Sequence, residues 1–155
     1  MPDSVDFSFD GKSIIVSLEK GAIHYKLNSE GTEYVLMESH MKFFANKTIN
    51  GLSLSRDLKT MTVAWDNYYW GVFKFNRVRE KYELMDKQQK EKGAIYKIIM
   101  SNPLKFVSIE TSYYFKMSKF DSETEKLGLL FSHKLKSSAL HMTSDAKEVI
   151  TVHEG

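Results

Sequence analysis

Four stretches of the chain share one plan: FSFDGKSIIVS (residues 7–17), LSRDLKTMTVA (54–64), MSNPLKFVSIE (100–110) and MTSDAKEVITV (142–152). Each opens on a bulky apolar residue followed by Ser or Thr. A turn tetrapeptide closed by Lys comes next, and then a run dominated by β-branched and apolar residues. The anchors Phe7, Leu54, Met100 and Met142 are 47, 46 and 42 residues apart. Leu27, Phe75 and Phe120 keep step with them, 20, 21 and 20 residues after the first three anchors. A period held at two internal positions marks an internal repeat.

Within a unit the hydrophobic pattern alternates in short runs broken by turn residues, as half-buried strands do. The first unit reads VDFSF, turn DGK, SIIVSL, turn EKG, AIHYKL, turn NSEGTE and YVLMESH. The second reads INGLSLS, RDLK, TMTVAW, DN and YYWGVFKF, and the third follows the same order. Four antiparallel strands per repeat, at a spacing slightly above 40 residues, indicate an all-β fold of β-propeller type. The chain reads as one partial propeller domain over 1–155, with units at 5–45, 49–90, 94–135 and an incomplete 137–155. The expectation is a piece of a larger ring, or a ring completed by blades from another chain, because an open ring exposes sheet edges.

The turns carry a resemblance to a known family. FSFDGK is similar to the apolar-Ser-Pro-Asp-Gly turn of WD-repeat blades, with Asp10 and Gly11 at its centre. His133 stands nine residues before Met142, and Asp66 follows the second strand of its unit, where that family places a His and an Asp. Ser132 replaces the Gly of the family's Gly-His pair, and no third strand ends in Trp-Asp; the dipeptide Trp65-Asp66 follows a second strand. The chain therefore resembles a divergent WD-type propeller. The resemblance implies structural roles for Asp10, Gly11, Asp66 and His133, and a place in a multi-subunit assembly, ciliary or cytoskeletal assemblies among them.

Composition narrows the chemistry. With 22 basic and 20 acidic residues the net charge is +2, so no strong field favours nucleic acid or anionic lipid. The absence of cysteine removes disulfides, thiolate zinc sites and a cysteine nucleophile. The N-terminus lacks the pattern of a secretory signal and no run reaches 18 apolar residues, so a cytoplasmic protein is expected, with no membrane partner. The five histidines lack metal-ligand spacing, and phosphate-loop and nucleophile-elbow motifs are missing. No catalytic, metal or cofactor-binding residue is assigned, and no cofactor is expected.

Two features suit partner binding. Aromatics cluster in YYW (68–70) and YYF (113–115), at matching turn-to-strand positions of neighbouring units. Some of these rings pack between sheets, and those facing away, among Tyr68, Tyr69, Tyr113 and Tyr114, are candidate protein anchors. The charged connection NRVREKYELMDKQQKEKG (76–93) supplies Arg77, Arg79, Lys87 and Lys90 as a second candidate surface. Its Val78, Tyr82 and Met85 recur at helical spacing, which predicts a short outer strand followed by a helical turn.

The leading reading is a non-catalytic protein–protein interaction scaffold. One rival is a propeller enzyme or small-molecule binder, signalled by polar residues from different blades at the start of the first strands. Another is an RNA-associated scaffold, for which the basic residues of 76–93 would share a face with Lys42, Lys47, Lys134 and Lys136.

Overall fold

The computed structural model describes residues 2–8, 10–18, 21–37, 41–55, 57, 59–86, 89–101, 104–134, 137–143 and 149–153. Strands β1 (Pro2–Phe7), β2 (Ser13–Leu18), β3 (Gly21–Leu27) and β4 (Tyr34–Leu36) form the first antiparallel sheet, in chain order. A second sheet contains β5 (Ile49–Leu54), β6 (Thr60–Trp65), β7 (Tyr69–Asn76) and β8 (Lys81–Leu84), with the short β9 (Gln89–Lys90) pairing onto the start of β7. The third holds β10 (Ile95–Met100), β11 (Phe106–Thr111), β12 (Phe115–Asp121) and β13 (Lys126–His133). Finally, β14 (Ser137–Met142) and β15 (Val149–His153) form a hairpin. The sheets meet chiefly through their first strands, β1 against β5, β5 against β10 and β10 against β14. This is an all-β, partial β-propeller of four-stranded antiparallel blades, with the first strands innermost.

Strand register explains the repeat. Phe7 pairs with Ile14, Leu54 with Met61, Met100 with Val107 and Met142 with Val149, so each anchor closes the inner hairpin at the same step. The Ser and Asp that follow an anchor build the turn. Ser8 Oγ donates to Asp10 Oδ1 (2.7 Å) and accepts from Ser13 N–H (2.9 Å), while Asp10 accepts from Lys12 N–H (3.0 Å). Blade 2 repeats this set with Ser55, Asp57, Lys59 and Thr60. In blade 3, where the sequence has Asn and Pro in place of the Asp turn, Ser101 Oγ accepts from both Lys105 and Phe106 N–H (3.0 Å each). Gly11 sits at φ +67°, a conformation open to a residue without Cβ. The corresponding turn of the fourth copy, at 144–148, lies outside the described residues.

The connection after β7 matches expectation in part. Residues 77–80 form a tight turn that returns the chain as β8, the expected short outer strand, and no helical turn follows it among the described residues. Asn76 Oδ1 caps the turn by accepting from Val78 and Arg79 N–H, and Glu80 takes a positive φ of 47°. Val78 is 93% exposed at the tip while Tyr82 is buried, so their helical spacing does not reflect one shared face. An edge strand gains hydrogen bonds from β7 that a solvated helical turn cannot.

Among the described residues, two apolar clusters fill the seams on either side of blade 2, and a smaller one around Phe115 and Met117 lies in blade 3. Ile15, Phe44, Met61, Val63, Trp65 and Phe73 fill the seam between blades 1 and 2. Ala64, Trp70, Val72, Ile95, Ile98, Val107 and Ile109 fill that between blades 2 and 3. The run MTVAW is buried on both faces because blade 2 has a neighbour on each side.

Candidate functional site

The direction of β7 divides the candidate residues. Tyr69 begins this strand and Asn76 ends it, roughly 23 Å apart at about 3.3 Å per residue. Tyr68, Tyr69 and Lys90 therefore stand at one rim, and Arg77 and Arg79 at the opposite one. Tyr113 and Tyr114, in the turn before β12, join the first group, and so does Lys134, just after β13. In the second group Arg79 pairs with Glu83 at 2.9 Å, a carboxylate that Lys81 also approaches at 3.5 Å. Lys87 and Lys136 lie outside the described residues, and of Lys42 only the backbone is described. The segment 76–93 is thus not one basic face.

At the tyrosine rim the turn from β6 to β7 is pinned to the start of β5. Thr48 N–H donates to Asp66 Oδ1 (3.0 Å), Asp66 N–H donates back to the Thr48 carbonyl (2.8 Å), and Asn50 and Asn67 exchange two further bonds. Asp66 and Asn67 adopt positive φ, which Asp and Asn tolerate better than most residues. The same turn reaches the next blade, where Ile95 N–H donates to the Asn67 carbonyl (2.6 Å). Tyr68 is left 43% exposed, and Tyr69 stacks on Trp65 at 6.3 Å.

Beneath this turn lies a residue that sequence reasoning did not single out. Glu91 N–H donates to the Tyr68 carbonyl (2.8 Å), and the Glu91 side chain is buried in the seam. Its Oε1 accepts from Trp70 Nε1 (2.9 Å), and its Oε2 accepts from the Tyr114 hydroxyl (2.7 Å) and Lys116 Nζ (2.5 Å). Burial alone would lower the Lys116 pKa, but the hydrogen bond and charge of Glu91 carry it upward. Burial, and then the bond to Glu91, push the Tyr114 hydroxyl upward as well. Tyr114 also accepts from Lys92 N–H (3.2 Å), so its hydroxyl is engaged within the seam and its ring is half-buried.

Tyr113 is the outward ring of its pair, at 60% exposure. Thr111 Oγ1 accepts from both Tyr113 and Tyr114 N–H and holds the turn. The Tyr113 ring lies over Gly93, where an added Cβ would come within 2.6 Å of Tyr113 Cδ2. Lys90 and Lys92 flank Glu91 and are exposed, as residues on the opposite side of an extended chain are. Lys90 Nζ lies 5.6 Å from the Tyr69 ring. Tyr68, Lys90, Glu91 and Lys92 line a shallow groove of about 530 Å³.

A second cleft, of about 380 Å³, opens on the inner side between β5 and β10, where Asn50, Ser53, Tyr96 and Lys97 meet. His133, placed by the resemblance in a blade-internal role, is an exposed residue opposite Phe115 at the edge of blade 3. Glu91 and Lys116, and the link from Glu91 to Trp70, escaped sequence reasoning because the partners are 21 and 25 residues away from Glu91 on two blades. The one local trace is a lone Glu between two lysines in KEK, which alternation turns to the opposite side.

No family model matches the chain, and neither does any curated protein. Solved structures do match. The β-propeller domain of Cps50 (Swd1) from Myceliophteria thermophila aligns with a TM-score of 0.70 at 12% identity, over 97% of this chain and 48% of that one. The periplasmic gluconolactonase PpgL of Pseudomonas aeruginosa aligns at 0.64 and 15% identity, over 97% and 42%. Hydrazine synthase of Kuenenia stuttgartiensis aligns at 0.68 and 12% identity, over 99% and 42%. The chain spans about half the length of these structures or less. They share its fold and include enzymes as well as the Swd1 domain.

Proposed function

We propose that the chain is part of a protein–protein interaction scaffold, a non-catalytic subunit of a multi-subunit intracellular assembly that docks a partner at the rim of blades 2 and 3. The observation that carries this reading is the pair of exposed rings, Tyr68 and Tyr113, held by fixed turns beside Lys90 and Lys92. Rigid, partly exposed tyrosines lose little entropy on binding and are frequent interface anchors. The remaining blades come from the same or another chain and complete the ring. A photo-crosslinking amino acid placed at Tyr68 or Tyr113 in the protein in its cells tests the docking surface. Discrete protein adducts are expected from the rim and none from Val78 on the opposite one. Equal labelling at Val78 would remove the reading.

The inner cleft favours a second reading, a small-molecule binder or enzyme, because Asn50 of β5 and Tyr96 and Lys97 of β10 converge there from two blades. The likeness to a gluconolactonase suggests sugar lactones as the first compounds to try. Acid release from a lactone that is abolished by Lys97→Ala would replace the scaffold reading with this one.

A further inference from the structure

The rim described above has a chemical bias that identifies its partner more narrowly, and the inference rests on the docking reading. Lys90 and Lys92 are exposed, and among the described residues neither pairs with a carboxylate. The acid between them has turned inward, and its charge is met by Lys116, Trp70 and Tyr114. Lys47, near the Phe43 and Trp65 rings, and Lys134 stand at the same rim.

The carboxylates of this rim among the described residues are few. Asp66 accepts from Thr48 N–H, Glu91 and Glu110 are buried, and Asp86 is half-buried. The opposite rim, by contrast, couples Arg79 and Lys81 to Glu83 and, nearby, Lys74 to Glu125. The tyrosine rim thus presents Lys90 and Lys92, unpaired among the described residues, beside its exposed tyrosines, whereas the exposed carboxylates Asp10, Asp57, Asp121 and Glu123 stand in turns of the opposite rim.

We infer that the rim of blades 2 and 3 recognises an acidic, extended peptide segment of a protein partner, with carboxylates meeting Lys90 and Lys92 and an apolar side chain lying against Tyr68 and Tyr113. The spacing of the groups supports an extended ligand, since Lys90 and Lys92 are alternate residues of an extended chain and repeat at about 7 Å. A peptide running alongside places its own alternate carboxylates at the same repeat. Nucleic acid is the weaker fit, because its affinity depends on neutralising many phosphates and the lysines here are interspersed with rings.

Fluorescence anisotropy with a labelled peptide alternating Glu and Leu tests the inference, using the whole chain. A peptide with Lys in place of Glu and a single-stranded oligonucleotide serve as competitors. The acidic peptide is expected to bind, to weaken about tenfold in the double variant Lys90→Gln/Lys92→Gln, and to recover with Lys90→Arg/Lys92→Arg. Arg77→Gln/Arg79→Gln is expected to leave binding unchanged, and raised salt to weaken it.

Equal binding of the basic peptide, tighter binding of the oligonucleotide, no binding of the acidic peptide, or no loss in the lysine double variant would overturn the acidic-segment inference. The double variant Tyr68→Ala/Tyr113→Ala separates this from failure of the docking reading. Rim adducts that need the tyrosines but ignore the lysines leave docking standing and remove only the acidic preference.

Discussion

The two seams of blade 2 occupy equivalent places in the fold and share an apolar filling, but the connecting chain plugs them with opposite chemistry. Between blades 1 and 2 the connecting chain inserts Phe44, which meets Phe73 at 4.9 Å and Trp65 at 6.2 Å, while Phe43 packs on the same rings. Between blades 2 and 3 the corresponding connection inserts Glu91, satisfied by an indole, a phenol and an ammonium. The aromatic plug is held by burial, which is tolerant of direction. The carboxylate plug is stable only while each partner is in place, because a buried charge without partners is costly. The seam that needs the more exacting arrangement is also the one that presents Tyr68, Tyr113, Lys90 and Lys92. A fixed carboxylate orients both turns from beneath, which a cluster of rings would do less specifically.

The largest effect that separates the seams is expected from Phe44→Ala. Loss of a fully buried ring should cost about 3–5 kcal/mol, read as a lower denaturation midpoint, with a smaller loss for the part-exposed Phe43→Ala. Glu91→Ala should cost about 1–3 kcal/mol by leaving the Trp70 and Tyr114 donors and Lys116 without their acceptor. Unlike Phe44→Ala, it should also weaken rim adducts through Tyr68 and Tyr113.

Alkaline titration should discriminate the seams too. The folded pKa of Lys116 and that of Tyr114 are both raised, so their contribution is present below the ordinary values of 10.5 and 10.0 and is lost as pH rises through the higher folded values. Unfolding followed above pH 10 should be less steep in Glu91→Ala than in the parent, and unaltered in Phe43→Ala.

The inner turns give a smaller, acidic signature. The bond from Ser8 and that from Lys12 N–H lower the Asp10 pKa, and in Asp57 the bonds from Lys59 and Ser55 outweigh the opposing effect of burial. Their contribution is present above the ordinary value of 3.8 and is lost as pH falls through the depressed folded values. Asp57→Ala should cost about 1 kcal/mol near neutrality and reduce the stability lost on acidification. The smallest change is expected from Tyr68→Ala or Tyr113→Ala, within about 0.5 kcal/mol, because these rings contribute little to either seam. A larger loss would mean that they are seam residues like Tyr114.

Much of the blade architecture was legible in the sequence because it follows from local chemistry. Phe7, Leu54, Met100 and Met142 mark strand ends, and a Ser at the next position in three copies satisfies the turn that follows. The paired tyrosine clusters were visible as well, but which ring faces out was not. Tyr69 and Tyr114 are drawn inward by Trp65 and Glu91, one across its own sheet and one across a seam. Val78, Tyr82 and Met85 misled because helical spacing in a short charged segment also fits a hairpin, whose turn is set by Asn76.

By itself, then, the sequence determined that the chain repeats a four-stranded antiparallel unit, since period, turn chemistry and alternation are properties of neighbouring residues. Only the tertiary structure decided that Glu91 plugs one seam as Phe44 plugs the other, and that Arg77 and Arg79 stand at one rim and Lys90 and Lys92 at the other. Those facts depend on which strand lies beside which, and on the length of β7 separating the ends of a segment that is continuous in sequence. Burial then fixed the rest: a carboxylate drawn inside must find donors from both blades, and the lysines beside it are left facing solvent.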